Sequence, residues 1–497
     1  MNNKFILASL LITVGIGGCK KDFLEVEPTG FTTPEQLAGA AKQDPNLLNG
    51  NISGLYSTMF TTGVGGTTGH DDFGQKGIDI YTDMMQSDMV LAALNYGWYS
   101  TVARYLATND FTTNPVYVPW RYYYRLVYGS NIIIGILGGN DAIPEEAGNK
   151  YTMGQAKAMR AYAYFYLTQL YAKEYGDGTQ KIIPLLTSSA DLNLPKSTTK
   201  EVYDLMESDL RSAITLLAGF SRTGKQQINA NVAKGLLAYV LSARGSQADL
   251  AEVVTLTQEI MSAFPKTTPN FLVYNGANGN TAGFNNVATP SWMWGVDLTL
   301  AQDLDLISWW GQVDQFTYSY AWAGDPKTID KGLYDGIPAN DIRKAQFAAP
   351  GEEFPLQPVN KFFAPARTEG GQRQVETDYL YMRADEFYLM NAEAKARLGQ
   401  TADAVSGLKL YLSDRVSDLS YLDVLSGAGL VSEIYRQTRI EMWGEGKSYL
   451  ALKRLKQNVV RGSNHLFEAG ATFPYSENKL TMVIPQAEVL NNPNLNN

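Results

Sequence analysis

The sequence predicts a mostly α protein: a tetratricopeptide-like scaffold of helical hairpins carrying a large, irregular, loop-rich insertion. Three observations carry this expectation. Long segments repeat apolar residues at helical spacing, with Ala where helices would cross and Gly where they would turn. Residues 265–376 break that pattern and are rich in Gly, Asn, Pro and aromatics. The helical texture then returns from about residue 377.

In chain order, Lys4 precedes an apolar run from Phe5 to Ile16. A membrane-spanning helix needs about 20 residues, so this run reads as a secretory signal covering residues 1–18. Ile16-Gly17-Gly18-Cys19 fits the lipobox at which a cysteine is acylated and becomes the mature N-terminus. Cys19 is the only cysteine, so the chain has no internal disulfide and no thiolate metal cluster. Residues 19–35 read as a polar, Pro-containing tether, and 61–74 as a Gly/Thr-rich loop between two possible helices.

Ala156, Met159, Ala163, Leu167 and Leu170 share one face of a helix expected to end near Tyr175-Gly176. Val202, Leu205, Leu210, Ala213 and Leu217 define a second, which Ser197-Thr198-Thr199 can cap. Ala233, Leu237, Val240 and Leu241 define a third, closed by Gly245, and a fourth runs from about Leu250 to Phe264. Further helices are expected over 378–398, 401–415 and 431–456. Residues 19–497 thus read as one domain, with scaffold at about 120–264 and 377–458 and a ligand-binding insertion at about 265–376. No strict repeat of about 34 residues is present, so the likeness to tetratricopeptides is one of architecture.

Composition narrows the function. Charged residues make up 18% of the chain and the net charge is −9, so no basic stripe exists to meet a nucleic-acid backbone. Thirty tyrosines dominate the aromatics, and Tyr joins an apolar face to a polar tip, which suits wet binding surfaces.

Enzyme motifs fail one by one. Gly219 to Lys225 has P-loop spacing, but Gln226 stands where a Mg²⁺-binding hydroxyl belongs and a helix precedes it where a strand is needed. The two histidines, His70 and His465, lie in unrelated polar loops, too few for a zinc site or a Ser-His-Asp triad. Asp71-Asp72, Asp303-Asp305 and Glu352-Glu353 are adjacent acids in loops and read as solvated surface. No cofactor is implied, and the sequence leaves metal binding undecided.

Two clusters of rings stand out. One is Tyr96, Trp98 and Tyr99; the other is Trp309, Trp310, Tyr318, Tyr320 and Trp322. Both sit in Gly/Asn-rich segments, and both are expected to line one ligand surface although about 210 residues separate them. Trp120 and Trp443 fall inside helical patterns and are expected in the core.

Several segments together carry a family resemblance. Tyr124 to Asn131 is similar to the Y-x-x-I-x-x-A-N helix of SusD/RagB proteins, and Gln155 to Phe165 to their A-x-x-x-R-A-x-x-Y-F run. Glu201-Val202-Tyr203 with Asp209-Leu210 resembles the next family helix. Tyr381 to Ala394 resembles R-x-A-E-x-Y-L-x-x-A-E-A, with Asp385 in place of Ala or Pro. Arg439 to Gly446 resembles R-x-E-L-x-x-E-G, and Thr438 replaces the usual Glu before it. Met482 to Pro485 and Asn492 to Leu495 resemble the family's C-terminal motifs.

The resemblance implies an outer-membrane lipoprotein of Bacteroidetes, facing outward and held by its lipid. It implies no catalysis. The implied partner is a SusC-like TonB-dependent barrel, to which the protein passes oligosaccharide or, in the RagB branch, peptide.

Overall fold

A computed structural model describes Gln36, Ala40 and residues 47–277 and 281–495. The signal segment, Cys19 and most of the tether lie outside the described residues. In chain order the principal elements are α1 (Leu47–Thr58), α2 (Gln75–Gln86), β1 (Met89–Leu91), α3 (Asn114–Ile136) and α4 (Ala147–Tyr171). Then come β2 (Lys181–Pro184), β3 (Lys196–Thr198), α5 (Thr199–Leu216), α6 (Ala230–Arg244) and α7 (Gln247–Ala263). The middle carries β4 (Trp292–Val296), α8 (Trp309–Val313) and β5 (Lys327–Ile329). Last are β6 (Tyr379–Arg383), α9 (Asp385–Arg397), α10 (Thr401–Leu412), α11 (Gly427–Glu441), α12 (Ser448–Arg454) and α13 (Gln486–Asn491).

The expected helices form, and α4 is their centre. From Thr152 to Tyr171 every residue of α4 is buried, as befits a helix with neighbours on all sides. Its Arg160 grips Asp209 of α5 through two 2.8 Å bonds and donates to Asn131 of α3 at 2.8 Å. Three motif residues thus lock three helices at one buried point.

Turn chemistry sets the hairpins. Thr198 caps α5 in a reciprocal box with Glu201, satisfying amides that the first turn leaves free. Gly245 adopts φ 72° at the end of α6, and Ser246 with Asp249 then boxes the start of α7. A two-residue link between helices in contact forces the chain to double back on itself.

The structure revises three boundaries. The helix expected to reach Tyr175-Gly176 stops at Tyr171, where buried Lys453 takes the Gln169 and Ala172 carbonyls. The stretch 431–456 divides into α11 and α12, because Gly444 (φ 80°) and Gly446 (φ 70°) turn the chain between them. Residues 379–383 are strand, paired antiparallel with β4 from Trp292↔Arg383 to Val296↔Tyr379.

A buried ionic cluster fastens the insertion to the C-terminal helices. Glu441 accepts from Arg343 (3.1 Å), Arg383 (2.9 Å) and Arg415 (3.0 Å), all fully buried. Burial pushes the Glu441 carboxyl up, but the three guanidiniums outweigh it and hold it well below the usual range. Asp385, a departure from the family pattern, bonds Arg415 at 2.7 Å and so belongs to this cluster. Trp120 and Trp443 are core residues, as expected.

Candidate functional site

The two loop-rich segments meet through backbone pairing. β1 and β5 run antiparallel in the register Met89↔Ile329, Val90↔Thr328, Leu91↔Lys327. Just beyond β1, the Asp325 carboxylate accepts N–H bonds from Asn95 (2.9 Å), Tyr96 (3.3 Å) and Gly97 (3.1 Å). Asn95 Nδ2 donates to the Gly324 carbonyl at 2.7 Å. A ring-bearing loop is thereby tied to a segment far along the chain.

These ties gather some of the expected rings. Tyr96 meets Tyr320 edge-on at 4.9 Å between centroids, and Trp98 lies 6.3 Å from Tyr320. Tyr318 and Trp322, on either side of Tyr320 in sequence, pair 5.6 Å apart, with Arg373 over the Tyr318 ring. Tyr96 is 56% exposed and Trp322 43%, while Trp98 and Tyr318 are half-buried, so four rings present area to solvent. Trp322 lies against Gly370 (φ 59°), where an added Cβ would sit 2.5 Å from the indole; only glycine lets the ring down. Tyr320 is itself buried, supporting its neighbours with little face to offer.

Tyr99, Trp309 and Trp310 do not belong to this surface. All three are buried. Trp309 packs edge-on against Trp310 (5.1 Å) and Phe362 (4.5 Å), and Tyr99 packs against Tyr81 (5.3 Å). Their surroundings have the composition of a binding loop, but short local helices turn these side chains inward, so they face the core and not a ligand.

His70 is the residue that sequence reasoning missed. Its ring stacks flat on Trp98 (4.9 Å, 1°) and its Nδ1 pairs with Tyr320 Oη at 2.5 Å. The His70 carbonyl accepts from Gln312 Nε2 (2.7 Å), and Gln312 Oε1 accepts from buried Lys327 (2.9 Å). Burial lowers the Lys327 ammonium to about 8. The rings therefore rest on a connected polar base, which fixes their orientation before anything binds. A lone histidine between Gly and Asp gave no signal of this role, because its partners lie far away in sequence.

The acid pair beside it is also turned inward. Asp72 accepts the Gly65 amide (2.7 Å) and the Thr67 amide (3.0 Å), and Asp71 accepts from Tyr81 Oη (2.7 Å). Asp71 and Asp72 are thus buried loop anchors and not solvated surface. Asp303 and Asp305 instead line a cleft of about 660 Å³ with Arg373 and Gln374, near the aromatic strip. Among the described residues, no three His, Cys, Asp or Glu side chains gather as metal ligands, and no helix is long and apolar enough to cross a membrane.

Comparison with known proteins bears on the family and the fold. A family model described as "Starch-binding associating with outer membrane" matches residues 67–240, and a SusD family model matches residues 351–497. A curated relative, SusD-like protein P25 of Formosa agariphila, is 28% identical over 200 residues, which is 40% of this chain. That match spans only 35% of the relative's own length. Among solved structures, a SusD-like carbohydrate binding protein from Bacteroides vulgatus superposes with a TM-score of 0.72 at 23% identity. It covers 92% of this chain and 97% of the other. A SusD superfamily protein from Bacteroides fragilis gives 0.68 at 21% identity, covering 91% and 99%.

Proposed function

We propose, from the premise that this chain belongs to the SusD/RagB family of binding proteins, that it captures oligosaccharide on the Tyr96–Trp98–Tyr318–Trp322 strip and delivers it to a SusC-type TonB-dependent barrel. The observation that carries the reading is the junction of two distant ring-bearing segments into one partly exposed aromatic surface. Neutral sugars offer CH-rich faces and hydroxyl edges. One ring covering about 40 Å² of such a face contributes on the order of 1 kcal/mol at ~25 cal/mol/Å². Several rings on two chain segments therefore give useful capture where one gives little. Arg373, Asp303 and Asp305 nearby supply hydrogen-bonding groups for hydroxyls. A shallow strip of stacking rings suits a glycan better than an extended peptide.

The lipobox at Cys19 supports a lipid anchor on the outer membrane with the binding face outward. Calorimetric titration with glycans, with products followed by chromatography, tests capture without turnover. Heat of binding with an unchanged glycan is the expected result; hydrolysis, or no binding to any glycan, would end the reading. Mild detergent extraction followed by affinity capture should recover a barrel partner, and Cys19→Ala should release the protein from the cell surface.

A further inference from the structure

A second groove shares no residue with the aromatic strip. It runs along one face of α3, where Trp120, Tyr124 and Tyr128 recur at intervals of four residues and so stack up the helix. Trp120 is sealed in the core, Tyr124 is half-buried, and Tyr128 is 52% exposed. The opposite walls come from the 184–194 loop, including Leu192, and from α13 with Glu488.

The groove is already shaped. Tyr124 Oη donates to the Pro184 carbonyl at 2.7 Å, fixing that ring. Asn492 Nδ2 donates to the Leu194 carbonyl at 2.9 Å, holding the walls together. Its volume of about 380 Å³ falls within the roughly 300–1,000 Å³ of small-ligand sites.

Its polar edge is unspent. Arg125, Tyr128 Oη and the side chains of Asn193 and Asn491 line the groove and make no hydrogen bond or ion pair among the described residues. On the α13 wall the Glu488 carboxyl is pushed up by burial, beside Trp120 and Arg121. The Tyr124 and Tyr128 rings, with a guanidinium, a phenol hydroxyl and amides around them, offer stacking area and directional bonds together. A purely apolar contact would leave those polar groups unpaired once water was expelled.

We propose that this groove is a second glycan subsite, taking one or two neutral pyranose rings of the polysaccharide held at the first. The inference rests on the capture reading above. Two subsites on one chain would raise apparent affinity for a polymer well beyond either alone.

Affinity electrophoresis in gels cast with amylopectin, xyloglucan or laminarin tests it. The wild type is compared with Trp98→Ala, with the Arg125→Ala/Tyr128→Ala double variant, and with all three changes combined. Arg125 and Tyr128 are exposed, so the double variant should melt like the wild type. On a polysaccharide that retards the wild type, the Trp98 and double variants should each lose about tenfold in apparent affinity, and the combined variant should run as in a blank gel. A double variant retarded as strongly as the wild type would overturn the second subsite and leave the first standing. No retardation of the wild type by any of the three would remove the glycan reading and this inference with it.

Discussion

The Asp325 carboxylate accepts the backbone N–H of Gly97 at 3.1 Å across a sequence separation of 228 residues. With the Asn95 and Tyr96 amides it makes three such bonds, so one side chain decides where the Tyr96 and Trp98 rings stand. Asp325→Ala should lower glycan affinity at least tenfold and cost about 1–2 kcal/mol of stability, since three partly buried amides would lose a charged acceptor. Calorimetric titration and urea unfolding of the same preparation check both halves.

Trp98 and Trp309 should separate function from stability. Trp98→Ala removes a half-buried ring and should weaken binding roughly tenfold, about 1.4 kcal/mol, with little change in melting temperature. Trp309→Ala empties a core site and should cost about 3–5 kcal/mol of stability. Equal melting losses in both would show that Trp98 is structural.

Glu441→Gln should be among the most damaging exchanges. It leaves Arg343, Arg383 and Arg415 fully buried without their shared anion, a loss of roughly 3–5 kcal/mol. A urea midpoint within error of the wild type would contradict this.

Asp314 should leave a mark on the pH profile. Burial raises its carboxyl to about 6, against opposing bonds from Thr317, Phe316 and Ala364. The folded state thus keeps a proton that the unfolded chain releases near pH 4. Its contribution therefore falls as pH rises from about 4 to about 6 and is level above, by roughly 3 kcal/mol. Asp314→Asn should lose that slope when urea midpoints of variant and wild type are compared across pH 4 to 7.

Thr198→Ala removes half of the box at the start of α5 and should cost about 1 kcal/mol, read as a small drop in melting temperature with unchanged binding.

The helices were legible because their signals are local. Thr198, Gly245 and the apolar positions of α4 to α7 each act within a turn or two of themselves. The strand at 379–383 was not, because its pairing with Trp292–Val296 is a long-range choice made by the fold. The same limit divides the ring assignments. Glycine-rich surroundings marked both Trp98 and Trp309 as loop residues, yet Ser308 caps a short helix that swings Trp309 and Trp310 inward. His70 escaped notice for the converse reason: nothing local announces a ring whose partners are Trp98 and Tyr320.

The β1–β5 pairing also dictates an order of events in folding. The helices from 114 to 263 are neighbours in sequence and can form early, whereas Met89 must wait for Ile329 to be made and brought back across that scaffold. Contacts of such high sequence separation are slow, since loop entropy is lost before they reward it. A chain ending before residue 325 would carry Tyr96, Trp98 and His70 without the Asp325 carboxylate that places them, and should hold no sugar at the strip. Binding competence at the strip thus waits on the insertion, and glycan affinity appearing during refolding should report the β1–β5 closure.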